Sequence, residues 1–207
     1  MLRSAENMLS YALSQPISGY SSQWALRCTA SCLYEFEIVA ASIPRADIAD
    51  GIELFRPFFQ NYSAISCHYK LGSLLDCVGR YGYPDGVYQF CAFKKKQVVN
   101  LVEHKPNAKI YGFPATRISS KLLDCLRANG FSCMGLFDND SGKHGVILDG
   151  YPIFNPINLS MGCFDDSAFF IVVNTASRRT GLEIAAQLES YGLREHTHFT
   201  CACYGES

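Results

Sequence analysis

The chain is predicted to be an α/β protein in which a mainly parallel sheet is flanked by helices and preceded by a helical N-terminal segment. Three observations predict this. Residues 1 to about 80 show helical periodicity without strand alternation. From Asp85 onward, strand-like and helix-like segments alternate, the signature of a parallel sheet with helical crossovers. Within that half, Ala108 to Asp140 reads as strand, turn, helix and strand, with an acidic residue closing the second strand, which is the plan of a mononucleotide-binding βαβ unit. The spacing therefore divides the chain into a helical segment, 1–82, and an α/β domain, 83–207.

In the first segment the periodicity predicts helices over roughly Ala5–Ser14, Ser22–Ala41, Arg45–Gln60 and Tyr69–Arg80. Ser42-Ile-Pro-Arg and the run from Tyr81 to Gly86 supply breaks. Aromatic residues such as Trp24, Tyr34, Phe36, Phe55, Phe58 and Phe59 recur at helical spacing, as core or interface residues do. In the second segment GVYQFCAF reads as a strand and KKKQVVNLVEHK as a helix opened by Lys94, Lys95 and Lys96. AKIYGF, SSKLLDCLRANG and FSCMGLFD follow as strand, helix and strand. VILDGYPIF and AFFIVVNT read as further strands, TGLEIAAQLESYG as a helix and HTHFTCACY as the last strand. Gly130 and Gly192 stand where helix C-caps belong.

Composition narrows the function classes. The 207 residues are 48% apolar and 18% charged with a net charge of -1, so there is no basic footprint for nucleic acid. The longest apolar runs, such as Phe169 to Val173, fall far short of a membrane span, and Arg3, Glu6 and Asn7 interrupt the N-terminus where a signal sequence would be apolar. The protein is read as soluble and cytoplasmic. Most of the ten cysteines lie inside apolar periodic segments, for example Cys28, Cys32, Cys125 and Cys133, as small buried hydrophobes do. No C-x-x-C occurs and Cys28/Cys32 has no second pair at zinc-finger spacing, so no metal is expected. None of the five histidines sits in an H-E-x-x-H or beside a G-x-S-x-G serine, and no reaction is assigned.

In an open parallel sheet, ligands bind beyond the carboxyl ends of the strands, where strand order reverses. The loops concerned are Phe113–Ser119, Asp138–Lys143 and Asn174–Arg179. They nominate Phe113, Pro114, Ala115, Thr116, Ser119, Asp138, Asn139, Asn174 and Thr175 as the binding residues. Asp138 falls about where a dinucleotide fold places its ribose carboxylate. The glycines of G-x-G-x-x-G are replaced by Pro114, Thr116 and Ser119, whose side chains would crowd a pyrophosphate. The hydroxyls of Thr116, Ser119 and Ser120 equally suit helix N-capping, and Asp138-Asn139-Asp140-Ser141-Gly142 equally suits a tight turn. Arg178 and Arg179 follow a strand end, where they would either clamp an anion or lie on the surface.

The residues from Lys109 to about Phe199 resemble the small Rossmann-type domain of bacterial sugar and surface-polysaccharide biosynthesis proteins. The matching runs are KIYGFPAT, GLFDND, GKHG, LDGYPIFNPINL, FFIVVNTASRR and LESYGLRE, in the same order and spacing. A similar domain closes certain sugar C-methyltransferases, where the first turn reads Y-G-A-P-A, close to Tyr111–Ala115 here. Residues 84 to 113 resemble the opening of macrocin-type O-methyltransferases, which bind S-adenosylmethionine through E-F-G-V-x-x-G. This chain has Gln89, Cys91 and Lys95 at the Glu and two glycines of that motif, and Pro114 at the later Asp. The first resemblance implies a Rossmann-like domain binding a nucleotide or sugar nucleotide, with NAD(P), a nucleotide sugar or S-adenosylmethionine as the cofactors to consider. The second implies an S-adenosylmethionine-dependent methyltransferase or a pseudoenzyme derived from one. A third reading is a non-catalytic scaffold whose N-terminal helices offer a surface for self-association.

Overall fold

A computed structural model of the chain describes residues 72–160, 169–175 and 177–203, together with Ala40. The predicted helices before Tyr69, and the aromatic surface they would offer, lie outside the described residues. The chain divides into two compact units, residues 1–94 and 95–207. Helix α1 spans Gly72–Tyr81 and helix α2 spans Asp85–Asn100, the unit boundary falling within α2. A Cβ on Gly86, in the first turn of α2, would overlap the backbone of Val78 in α1.

Helix α2 corrects the strand expected over GVYQFCAF. Val87, Phe90, Cys91, Val98 and Val102 are all buried, which is a stripe at helical spacing continued one turn past the helix end. Eight residues showed too few turns of it to tell helix from strand by periodicity. Lys94, Lys95 and Lys96 consequently lie in mid-helix rather than opening one, and the Lys94 ammonium rests 5.5 Å from the Phe90 ring.

The second unit carries strands β1 (Lys109–Phe113), β2 (Ser132–Phe137), β3 (Ile147–Leu148), β4 (Tyr151–Phe154), β5 (Phe169–Thr175) and β6 (Phe199–Cys203). Helix α3 (Arg117–Ala128) joins β1 to β2, the short α4 (Ile157–Ser160) follows β4, and α5 (Arg178–Ser190) joins β5 to β6. The sheet order is β3-β4-β2-β1-β5-β6. All pairings are parallel except β3 with β4. The fold is α/β and Rossmann-like. From β1 the chain moves outward through α3 to β2, whereas β5 returns to the other side of β1, so strand order reverses between β1 and β5.

The long strand expected over VILDGYPIF is a hairpin. Asp149 (φ 49) and Gly150 (φ 86) are both left-handed, as the two central residues of a type I′ turn must be, and Leu148 pairs with Tyr151 across them. Gly130 and Gly192 end their helices as expected, each in the left-handed position, at φ 90 and 85, just after the C-cap residues Asn129 and Tyr191. Each closes a Schellman motif: Phe131 and Leu193 donate their N–H groups to the carbonyls of Leu126 and Leu188, at 3.2 Å in both.

The period-two alternation of the strands sends their side chains to two layers. Tyr111, Phe113, Phe137, Ile171 and Val173 form one core with Ile184 and Leu188 of α5. The opposite face meets α3, where Gly112 leaves room: a Cβ there would lie 2.7 Å from Leu136 and 3.4 Å from Ser119. Among the described residues no helix is long and apolar enough to cross a membrane.

Candidate functional site

The carboxyl ends of β1, β2 and β5 bring the predicted binding residues to one edge of the sheet. Asp138, the residue after β2, is buried. Its Oδ2 accepts the Ala115 N–H at 3.0 Å and the Lys143 ammonium at 2.9 Å, and its Oδ1 accepts the Asp140 N–H at 2.9 Å. A carboxylate offers about four acceptor positions. Three are occupied internally, leaving one for a ligand hydroxyl. The His144 ring nitrogen lies 2.8 Å from the Asp138 carbonyl, and Asp140 caps the 3-10 turn Ser141–Lys143 by accepting the Gly142 N–H at 2.9 Å. The run from Asp138 to Gly142 thus uses its carboxylates as turn chemistry.

The first turn directs its amides to partners within the protein. Pro114 has no N–H, that of Ala115 goes to Asp138, that of Thr116 to the Pro114 carbonyl, and that of Ser119 to the Thr116 hydroxyl. Thr116 is the N-cap of α3, in extended conformation with its Oγ1 accepting from Ser119. The Phe113–Pro114 peptide is cis. These residues do not fit the pyrophosphate of a dinucleotide, which needs several free amides at a helix mouth approached without side chains.

A cleft of about 250 Å³ opens on the α5 side of this edge. Its apolar floor is Phe113, Pro114 and Ile184. Asp138 and Asn139 form one wall, and Thr180, Glu183 and Gln187 on α5 form the other. Across the rim Asn139 and Gln187 pair their amides reciprocally, each donating to the other's oxygen at 2.8 Å, while Gln187 Nε2 also donates to the Tyr191 hydroxyl at 3.0 Å.

Four of the nominated residues, Phe113, Pro114, Asp138 and Asn139, therefore meet in one cleft. Ser119 and Asn174 lie on the α3 side of the sheet, where the Ser119 hydroxyl donates to the Asn174 carbonyl at 3.4 Å. The Asn174 side chain is buried with both amide atoms lacking a hydrogen-bond partner. Thr175 donates its hydroxyl to the Ser177 carbonyl at 2.7 Å, and Arg178 and Arg179 are exposed, Arg179 pairing with Glu183 at 2.9 Å. The α5 wall was missed by sequence reasoning, which stopped at Arg179. Thr180, Glu183, Ile184 and Gln187 repeat at three- and four-residue spacing on the helix that follows a strand end, and that signal was available.

Thiol chemistry finds no support at this edge. Burial pushes the Cys91 and Cys133 thiols up to about 12, so both stay protonated. Among the described residues no three His, Cys, Asp or Glu side chains gather as a ligand set for a metal.

No protein-family profile matches the chain, and no curated protein matches it. Seven solved chains match in structure. One is the crystal structure of RSP, a Rex-family repressor, with a TM-score of 0.37 and 8% identity over 77% of this chain and 88% of that one. The fold assignment rests on the strand order itself.

Proposed function

We propose that residues 95–207 form a small-molecule-binding domain that takes a nucleotide or sugar nucleotide at the carboxyl edge of the sheet. The observation that carries this reading is the cleft beside the strand-order reversal, with an apolar floor and polar walls of a size that suits a nucleoside moiety rather than a whole dinucleotide. The base and ribose lie over Phe113, Pro114 and Ile184, the remaining acceptor position of Asp138 takes a ribose hydroxyl, and the phosphate or sugar projects outward. The association with sugar or polysaccharide biosynthesis rests on the resemblance of the runs from KIYGFPAT to LESYGLRE. We propose no methyltransferase activity, because Gln89 to Phe93, which would form the methionine-binding turn, lie inside α2.

A thermal-unfolding screen with AMP, UMP, UDP-sugars, NAD(H) and S-adenosylmethionine tests this. A ligand at about 100 times its Kd adds about 2.7 kcal/mol to stability, a shift of several degrees. One nucleotide class should raise the midpoint, and Thr180→Trp, which fills the cleft from an exposed position, should abolish the rise without lowering the ligand-free midpoint. Failure of every nucleotide to shift the midpoint at millimolar concentration would refute the reading.

A further inference from the structure

We infer that Gln187 reads the hydrogen-bonding edge of a nucleobase, and that Asn139 occupies that edge's place in the free protein. The inference rests on the nucleotide reading above and adds what selects the base. Two amides facing each other through two parallel hydrogen bonds present the donor-beside-acceptor pattern that a nucleobase carries on its Watson–Crick edge. Both residues line the cleft, so the edge of a base lying on its apolar floor meets one of them.

The two partners are held differently. Gln187 sits within α5, and its Nε2 has a second anchor in the Tyr191 hydroxyl one turn on. Its carboxamide therefore keeps its orientation when Asn139 leaves. Asn139 stands on an exposed turn after β2 and engages Gln187 through both ends of its amide. Exchange of the Asn139 amide for a base edge replaces two exposed hydrogen bonds by two of the same kind in a more enclosed position. The cost of opening is small because water solvates the released Asn139 amide.

The measurement is calorimetric titration of the full chain with UMP, AMP, their analogues methylated on the Watson–Crick edge, and ribose phosphate, which has no base. With the wild type, methylation of the preferred base should weaken binding by about tenfold, the size of one good two-point contact. Gln187→Met should weaken the unmethylated nucleotide by about the same factor and erase the difference between it and its methylated analogue. Asn139→Ala should act in the opposite direction, tightening binding a few-fold, since it removes the internal competitor. A purely structural role for the pair predicts that both variants weaken binding together, and that result would overturn the inference, as would unchanged discrimination in Gln187→Met. Ribose phosphate binding as tightly as the nucleotide would overturn it too while leaving the cleft as a ligand site. Absence of binding by every compound would overturn both this inference and the reading beneath it.

Discussion

Asp138→Ala is the perturbation whose consequence the structure specifies most closely. The carboxylate accepts three donors from three different positions: a buried backbone N–H at Ala115, the Asp140 N–H, and the Lys143 ammonium. Loss of the buried acceptor strands the Ala115 donor, which costs about 1–3 kcal/mol. The Asp140 N–H belongs to an exposed residue and turns to water, for about 0.5–1 kcal/mol. Lys143 is 43% exposed, so its ion pair contributes about 0–1 kcal/mol after solvent screening. The sum is about 1.5–5 kcal/mol, which in a unit of this size lowers the unfolding midpoint by roughly 6–30 °C. Asp138→Asn should lose less, because one carbonyl oxygen remains, yet its new NH₂ faces either the Asp140 N–H or both the Ala115 N–H and the Lys143 ammonium, all of them donors. Urea unfolding of the ligand-free protein, followed by circular dichroism, measures both. If Asp138→Ala lies within about 0.5 kcal/mol of the wild type, a scale at which surface substitutions act, then the carboxylate is not the clamp of the first turn and the reasoning fails. A loss of ligand binding in this variant is informative only beside that stability measurement.

Gly135→Ala should destabilise by about 1–3 kcal/mol, since the added Cβ would lie 2.6 Å from the Phe154 ring and 2.7 Å from the Pro152 carbonyl, and the backbone of β4 cannot withdraw cheaply; its urea midpoint checks this. Asn174→Leu keeps the branched shape of the side chain but removes two unpartnered buried polar atoms, so stability should be unchanged or higher by about 1 kcal/mol. A fall of that size instead would show that the amide is paired in solution. The Cys91 and Cys133 thiols are raised from an ordinary value of 9.0 to about 12 by burial. The folded chain therefore holds these protons more tightly than the unfolded chain. Their contribution is complete below about pH 9 and is lost as pH climbs toward about 12. The unfolding free energy measured against pH should fall over that window, and Cys133→Ala should flatten the fall.

Local chemistry made much of the fold legible. The turn at Thr116 and the helix ends at Gly130 and Gly192 need only residues within a few positions of one another, and so does the strand character of FFIVVNT. The Asp149-Gly150 hairpin is equally local: an Asp-Gly pair between apolar residues is a strong hairpin signal, and it outweighs the strand character of VILDGYPIF as a whole. The candidate site was legible only by position. Placing Phe113, Pro114, Asp138 and Asn139 at the carboxyl edge follows from the βαβ plan, but which of them share a cleft depends on which face each strand end presents and on the helix that covers it.

The sequence by itself determined the α/β class, the order of most elements in the second unit and the loss of the glycine turn, because these depend on periodicity, caps and residue type over short spans. Tertiary structure alone decided three things. It made GVYQFCAF helical by burying one stripe continuous with Val98. It committed Asp138 to an N–H group 23 residues away and to Lys143, leaving one acceptor position open. It brought Gln187 against Asn139 across a separation of 48 residues. A carboxylate or an amide has the same chemistry in any sequence, and its partner is chosen by which donors the packed sheet and helices bring within about 3 Å.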